Sequence, residues 1–153
     1  MKWYLFKYFN IFFPVGCGCL IYLTVRDSYL LTNLENNFLF FEQFRKLIHI
    51  QFIPETPIQR FFCYNFPDFL WAYSVGWAIP KAGNRQRKIA LSCMFMLSIE
   101  FAQLLPFVHG TFDLLDIFIE LLGVFLAIIA NDIAAELHIR NILRTSLKTK
   151  QPE

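Results

Sequence analysis

Six side chains able to bind or exchange protons lie where the surrounding sequence is otherwise apolar: Asp68, Glu100, Gln103, Asp113, Asp116 and Glu120. Carboxylates serve as general acids and bases, as oxygen ligands for Mg²⁺ and as counter-ions for cationic groups. At the centre of a bilayer each costs at least ~2.5 kcal/mol, so such residues are rare and normally face a bundle interior. Glu100 and Gln103 are three apart and share a helix face. Asp113, Asp116, Glu120, Gly123 and Ala127 follow steps of 3, 4, 3 and 4, a polar stripe that turns into a small-residue stripe. Asp68, Ala72 and Gly76 form a shorter stripe of the same kind. Small residues let helix backbones approach closely in lipid, so these stripes are expected to pack together with the acids gathered in one cavity. Acids sharing a cavity repel one another, so they must share protons or take up a cation.

The elements that would hold these residues are long apolar runs. Of the 153 residues, 56% are hydrophobic and 17% charged, with 19 Phe. Soluble domains carry about 25% charged residues, and one short soluble core does not readily bury several such runs. The expected fold class is all-α: a polytopic membrane protein with four transmembrane helices in a compact bundle, one domain over 1–153. The spans are placed at about 3–25, 66–80, 89–106 and 113–134, joined by an outer loop 26–65, since a hydrocarbon core of ~30 Å needs about 20 apolar residues. Residues 34–50 mix apolar and polar types as an interfacial helix does, with an ordinary folded loop as the alternative. Pro54 and Pro57 are expected to end any helix there. Pro67 suits a helix start, Pro80 closes the second span and Pro106 the third, and the fourth passes into a polar tail.

Basic residues set the orientation. Lys2, Lys7, Lys81, Arg85, Arg87, Lys88, Arg140, Arg144, Lys148 and Lys150 fall on one side, against Arg26, Arg45, Lys46 and Arg60 on the other. The positive-inside rule then places both termini in the cytoplasm and the acids toward the outer face. With 1.5 Å of rise per residue, Glu100 lies roughly 9 Å below Pro106 and Glu120 roughly 10 Å below Asp113, similar depths on neighbouring helices.

Ordinary roles compete for several of these residues. Thr111 or Asp113 can cap the fourth helix, Asp116 can complement its dipole, and Asp68 is a first-turn acid of the second. Glu100 lies within a span and has no such explanation. Glu120 can pair with Gln103 or a protonated neighbour as an interhelical clasp. His109 in an outer turn reads as solvated, and Trp3, Trp71 and Trp77 as interface and packing aromatics. Cys17, Cys19, Cys63 and Cys93 show neither zinc spacing nor a disulfide framework. A net charge of +2 without basic–aromatic interleaving excludes a nucleic-acid groove. No phosphate loop, nucleophile elbow or zincin motif is present, and no cofactor is expected.

Glu100-Phe101-Ala102-Gln103, a short turn, then Gly110-Thr111-Phe112-Asp113-Leu114-Leu115-Asp116, Glu120 and Gly123 resemble the signature of the VanZ-like family. Pro67-Asp68-Phe69-Leu70-Trp71-Ala72 is similar to the Pro-Asp-x-x-Trp-Ala segment of one branch. The resemblance covers Phe66 to Ala127; the first helix and long loop match in hydropathy only. Two positions differ: His109 stands where many members have Arg, and Glu120 where many have Asn, which makes this site more acidic or reliant on His109. The resemblance implies a small protein of the bacterial cytoplasmic membrane, in a family linked through its founding member to low-level teicoplanin resistance and without an agreed biochemical activity.

The expected role is binding: an outward acidic cavity that engages membrane lipid, a lipid-linked cell-wall precursor or another amphiphile. One alternative is a Mg²⁺-dependent enzyme acting on a lipid-linked diphosphate, with Asp113 and Asp116 holding the ion and Glu100 as acid or base. Another is cation- or proton-coupled transport, which needs a polar route inward from Glu100; the helix there reads Met94, Phe95, Met96, Leu97.

Overall fold

The structure is a computed structural model that describes residues 2–25, 54–79, 84–105 and 113–148, together with 37, 39, 43, 46 and 47. The described residues are all-helical. Helix α1 spans Lys2–Val25. A short helix α2, Pro57–Arg60, leads through a π-helical turn, Phe61–Asn65, into α3, Phe66–Ala78. Helix α4 spans Arg85–Ala102 and α5 spans Leu114–Lys148. Two of these, α1 and α5, are long and apolar enough to cross a membrane.

Local sequence explains where the helices begin. Thr56 accepts a hydrogen bond from the Gln59 amide at 3.2 Å, while Gln59 Oε1 accepts from the Thr56 amide at 3.0 Å. This reciprocal box, with Pro57 behind it in the first turn, starts a helix where Pro57 was expected to end one. The backbone then stays right-handed helical through Arg60, Asn65 and Phe66. Pro67 has no N–H to give Cys63, and its ring crowds that carbonyl. The chain widens just upstream, with the Phe66 amide bonded to Phe61 O. The second apolar segment is therefore helical from Pro57 to Ala78 rather than from 66, about 30 Å of continuous helix. It ends before Pro80, which disfavours helical backbone in the residue ahead of it.

Helix α4 is capped by Asn84, whose Oδ1 accepts the Arg87 amide at 2.7 Å, and so takes in Arg85, Arg87 and Lys88 ahead of the expected start at 89. It stops at Ala102, short of the expected 106. Helix α5 runs to Lys148 rather than turning into a polar tail at 134. Ile133, Leu137 and Ile139 extend its apolar pattern, and Glu136 pairs with Arg140 one turn on. Of the 34–50 segment, Asn37, Leu39, Gln43, Lys46 and Leu47 are helical, with Leu39 and Leu47 exposed; its other residues lie outside those described.

Helix α3 is central. It packs most extensively on α5 and on α1, while α4 lies mainly against α5. The small-residue stripes do meet. A Cβ added at Gly123 would sit 2.7 Å from Phe69 O and 3.2 Å from Ala72 Cβ, and one added at Gly76 would sit 2.6 Å from Ala127 Cβ. The core at this crossing is Ala72, Met96, Val124 and Ile128. Trp77 is buried beside Trp3 and Phe6 of α1, and Asn10 Oδ1 accepts from the Tyr73 hydroxyl at 3.2 Å.

The distribution of polarity differs from that of a water-soluble bundle, with large apolar side chains facing outward and several polar ones buried beside the apolar core. Phe12, Phe62, Met94, Phe95, Phe118 and Phe125 are at least half exposed, whereas Ser74, Lys88, Ser92, Glu100, Glu120 and Asn131 are buried.

Candidate functional site

The six candidate residues separate into two groups. Asp68, Glu100, Gln103 and Glu120 line one cavity of about 440 Å³. Asp113 and Asp116 are outside its lining. The meeting of Gly123 with Ala72 draws α3 against α5 and brings Asp68 and Glu120 to the same level, one turn above that contact on each helix.

Glu100 and Glu120 are 3% and 4% exposed. The two carboxyls are close enough to couple, and those of Asp68 and Asp116 act on Glu120 in turn. Gln103 Nε2 donates to Glu100 Oε1 at 3.1 Å. The two carboxyls lie within hydrogen-bonding reach of each other; otherwise the second oxygen of each, Oε2, is buried with no N–H or hydroxyl donor among the described residues, and Trp71 Nε1 is buried without an acceptor. Unsatisfied buried polar atoms are uncommon and each calls for a cause. Glu100 is also two residues from the end of α4, where the helix dipole opposes a negative charge. The sequence placed it inside a span; the shorter helix leaves it in a less favourable position still.

The rest of the cavity is mostly apolar, apart from Ser74, whose hydroxyl donates to Leu70 O at 2.9 Å. Ile11 and Val15 of α1, Val75 and Ala78 of α3, and Phe95, Met96 and Ile99 of α4 form its walls. The cleft thus has an acidic end at Glu100 and Glu120 and a hydrocarbon-like length running toward Ala78. Trp71 belongs to this wall, with its indole packed directly against Gly18. It was expected to be a packing aromatic, and it also presents a donor.

Asp113 and Asp116 are held by protein groups. Asp113 Oδ1 accepts the Leu115 amide at 2.9 Å, the capping role open to it from sequence. Asp116 Oδ1 accepts from Asn65 Nδ2 at 2.7 Å. Asn65, in the π-helical turn, was not among the expected site residues. Its signal was its place three residues before Asp68, where the turn swings its amide toward α5. We expect Asn65→Leu, which strips the Asp116 carboxyl of its donor, to destabilise the fold by about 1–3 kcal/mol. Thermal unfolding in detergent would measure this, and an unchanged midpoint would show the bond to be dispensable.

Asp68 is the first-turn acid of α3, as expected, although the π-helical turn Phe61–Asn65 runs directly into that helix. His109 and Thr111 lie outside the described residues. A second buried polar group went unread in the sequence: Lys88 and Ser92 continue the four-residue step that includes Met96 and Glu100 on the buried face of α4. Arg85 of the same helix pairs with Asp132 of α5 at 3.3 Å.

Comparison with known proteins finds no match among family models, curated proteins or solved structures.

Proposed function

We propose that this chain is a four-helix integral protein of the bacterial cytoplasmic membrane, with both termini cytoplasmic. Its outward cavity binds an amphiphile by a cationic or donor-rich headgroup. The observation that carries the reading is the pair of buried glutamates, Glu100 and Glu120, whose carboxyls meet at one end of a largely apolar cavity and whose Oε2 atoms take no donor from any other described residue. A headgroup ammonium or hydroxyl cluster supplies the missing donors, and an alkyl chain fits the apolar length. Membrane lipid, a lipid-linked cell-wall precursor and a cationic amphiphile share that chemistry. The exposed apolar faces support lipid as the solvent, and α1, Pro57–Ala78, α4 and α5 supply the four crossings.

The resemblance of Glu100-Phe101-Ala102-Gln103 and Asp113-Leu114-Leu115-Asp116 to the VanZ-like signature supports a role at the cell envelope, with glycopeptide resistance of the teicoplanin type as the phenotype to examine. Transport fits less well. Met96, Val124 and Ile128 pack as an apolar plug between the two glutamates and the buried Ser92 and Lys88. The diphosphate-enzyme reading is weakened by the contacts of Asp113 and Asp116, each of which already accepts a protein hydrogen bond.

Native mass spectrometry of gently extracted protein tests the proposal. Wild type should retain an amphiphile that Glu100→Gln and Glu120→Gln lose, with both variants still folded. Equal retention by all three proteins, or none by wild type, would remove the binding reading.

A further inference from the structure

A second cavity, of about 330 Å³, opens at the other end of the molecule. Along α5 it is remote from the acids, since Glu120 and His138 are separated by about 27 Å of helix. Trp3 and Lys7 of α1 form one wall, and Asn131, Ala135, His138 and Ile139 of α5 form the other. Asn131 and His138 are seven residues apart and so share a face of α5. Asn131 is 6% exposed although it is polar, and the His138 ring stacks on Trp3 at 5.3 Å between centroids with 13° between planes. An ammonium, an amide and an imidazole thus line a single concave space.

No carboxylate lines it. Of the acids on this half of α5, Asp132 pairs with Arg85 and Glu136 with Arg140. The site has a positive charge, two further groups able to donate, and apolar surface at Ala135 and Ile139.

We propose that this cavity binds the phosphate of an anionic phospholipid. Lys7 supplies the charge, Asn131 and His138 the hydrogen bonds, and Ile139 the surface where the acyl chains begin. Basic pockets between helices at the cytoplasmic face suit such headgroups, and a tryptophan at the rim suits the headgroup depth. A free phosphate would use the same donors but would leave the apolar wall without purpose. The site is separate from the acidic cavity and does not depend on what that cavity holds.

The test is native mass spectrometry of purified protein titrated with phosphatidylglycerol or phosphatidylcholine, with inorganic phosphate as a third arm. Wild type should retain phosphatidylglycerol in preference to phosphatidylcholine. Lys7→Gln should weaken that retention about fivefold, and Lys7→Gln combined with His138→Leu should weaken it further. Lys7→Arg should restore it, and Arg144→Gln, on an exposed stretch of α5, should leave it unchanged. Melting curves without added lipid identify any variant that has merely misfolded, and the Lys7→Arg comparison then carries the test. Equal retention of both lipids, or retention indifferent to Lys7 and His138, overturns the proposal. Phosphate that displaces phosphatidylglycerol and protects the protein alone, through the same two residues, assigns the site to a soluble anion and overturns it as well.

Discussion

Gly123→Ala should lower the stability of the folded protein by about 1–3 kcal/mol, the usual cost of inserting a methyl group into a packed interior. The reason is the identity of the neighbour. The new Cβ would stand 2.7 Å from Phe69 O, a backbone atom inside α3 that cannot rotate away. Relief requires α3 and α5 to separate, and with them the residues that close the acidic end of the cavity. Gly16→Ala is the internal control, because a Cβ there meets nothing within 4 Å. In that position alanine should stabilise α1 by up to about 1 kcal/mol through its higher helix propensity. Thermal midpoints in one detergent should therefore move in opposite directions for the two glycines. Gly76→Ala lies between these cases. Its closest clash is with the Ala127 methyl at 2.6 Å, so Ala127→Gly should recover part of the loss. A Gly123→Ala protein as stable as wild type would mean that α3 and α5 do not meet at this register.

Val15→Trp should reduce amphiphile retention more than tenfold while leaving the melting temperature close to wild type. Val15 lines the cleft from α1 and is only half-buried, so an indole there projects into a space of about 440 Å³ without displacing core residues. That volume is at the small end of ligand pockets, and filling part of it excludes an alkyl chain. The variant leaves Glu100 and Glu120 untouched. Together with Glu100→Gln it separates recognition of a headgroup from accommodation of a tail. If Val15→Trp retained the wild-type amphiphile, the ligand would sit at the carboxyls without entering the cleft.

Apolar runs, stripe spacing and charge placement were enough to read the helical class, the pairing of the small-residue faces and the convergence of Glu100, Gln103 and Glu120. These are local or periodic properties: a step of 3 or 4 residues decides a helix face wherever the helix sits. Helix ends were read less well. Pro57 looked like a stop, although the Thr56–Gln59 capping box beside it was legible; the chain after 134 looked like a tail because its charges hid the continuing apolar face.

What only the tertiary structure decided depends on contacts between residues distant in the chain. Nothing in the spacing of Asp113 and Asp116 says that one caps its own helix while the other takes Asn65 from 51 positions away. Nor does it say that α1 completes the apolar wall opposite Glu100. A residue's face follows from its own helix, but whether that face meets lipid, another backbone or an open cavity is settled by which helices become neighbours and how closely they approach. Here that approach is governed by Gly123 against Phe69 and Ala72, where the absence of a side chain lets α3 and α5 close and carries Asp68 and Glu120 to the same level.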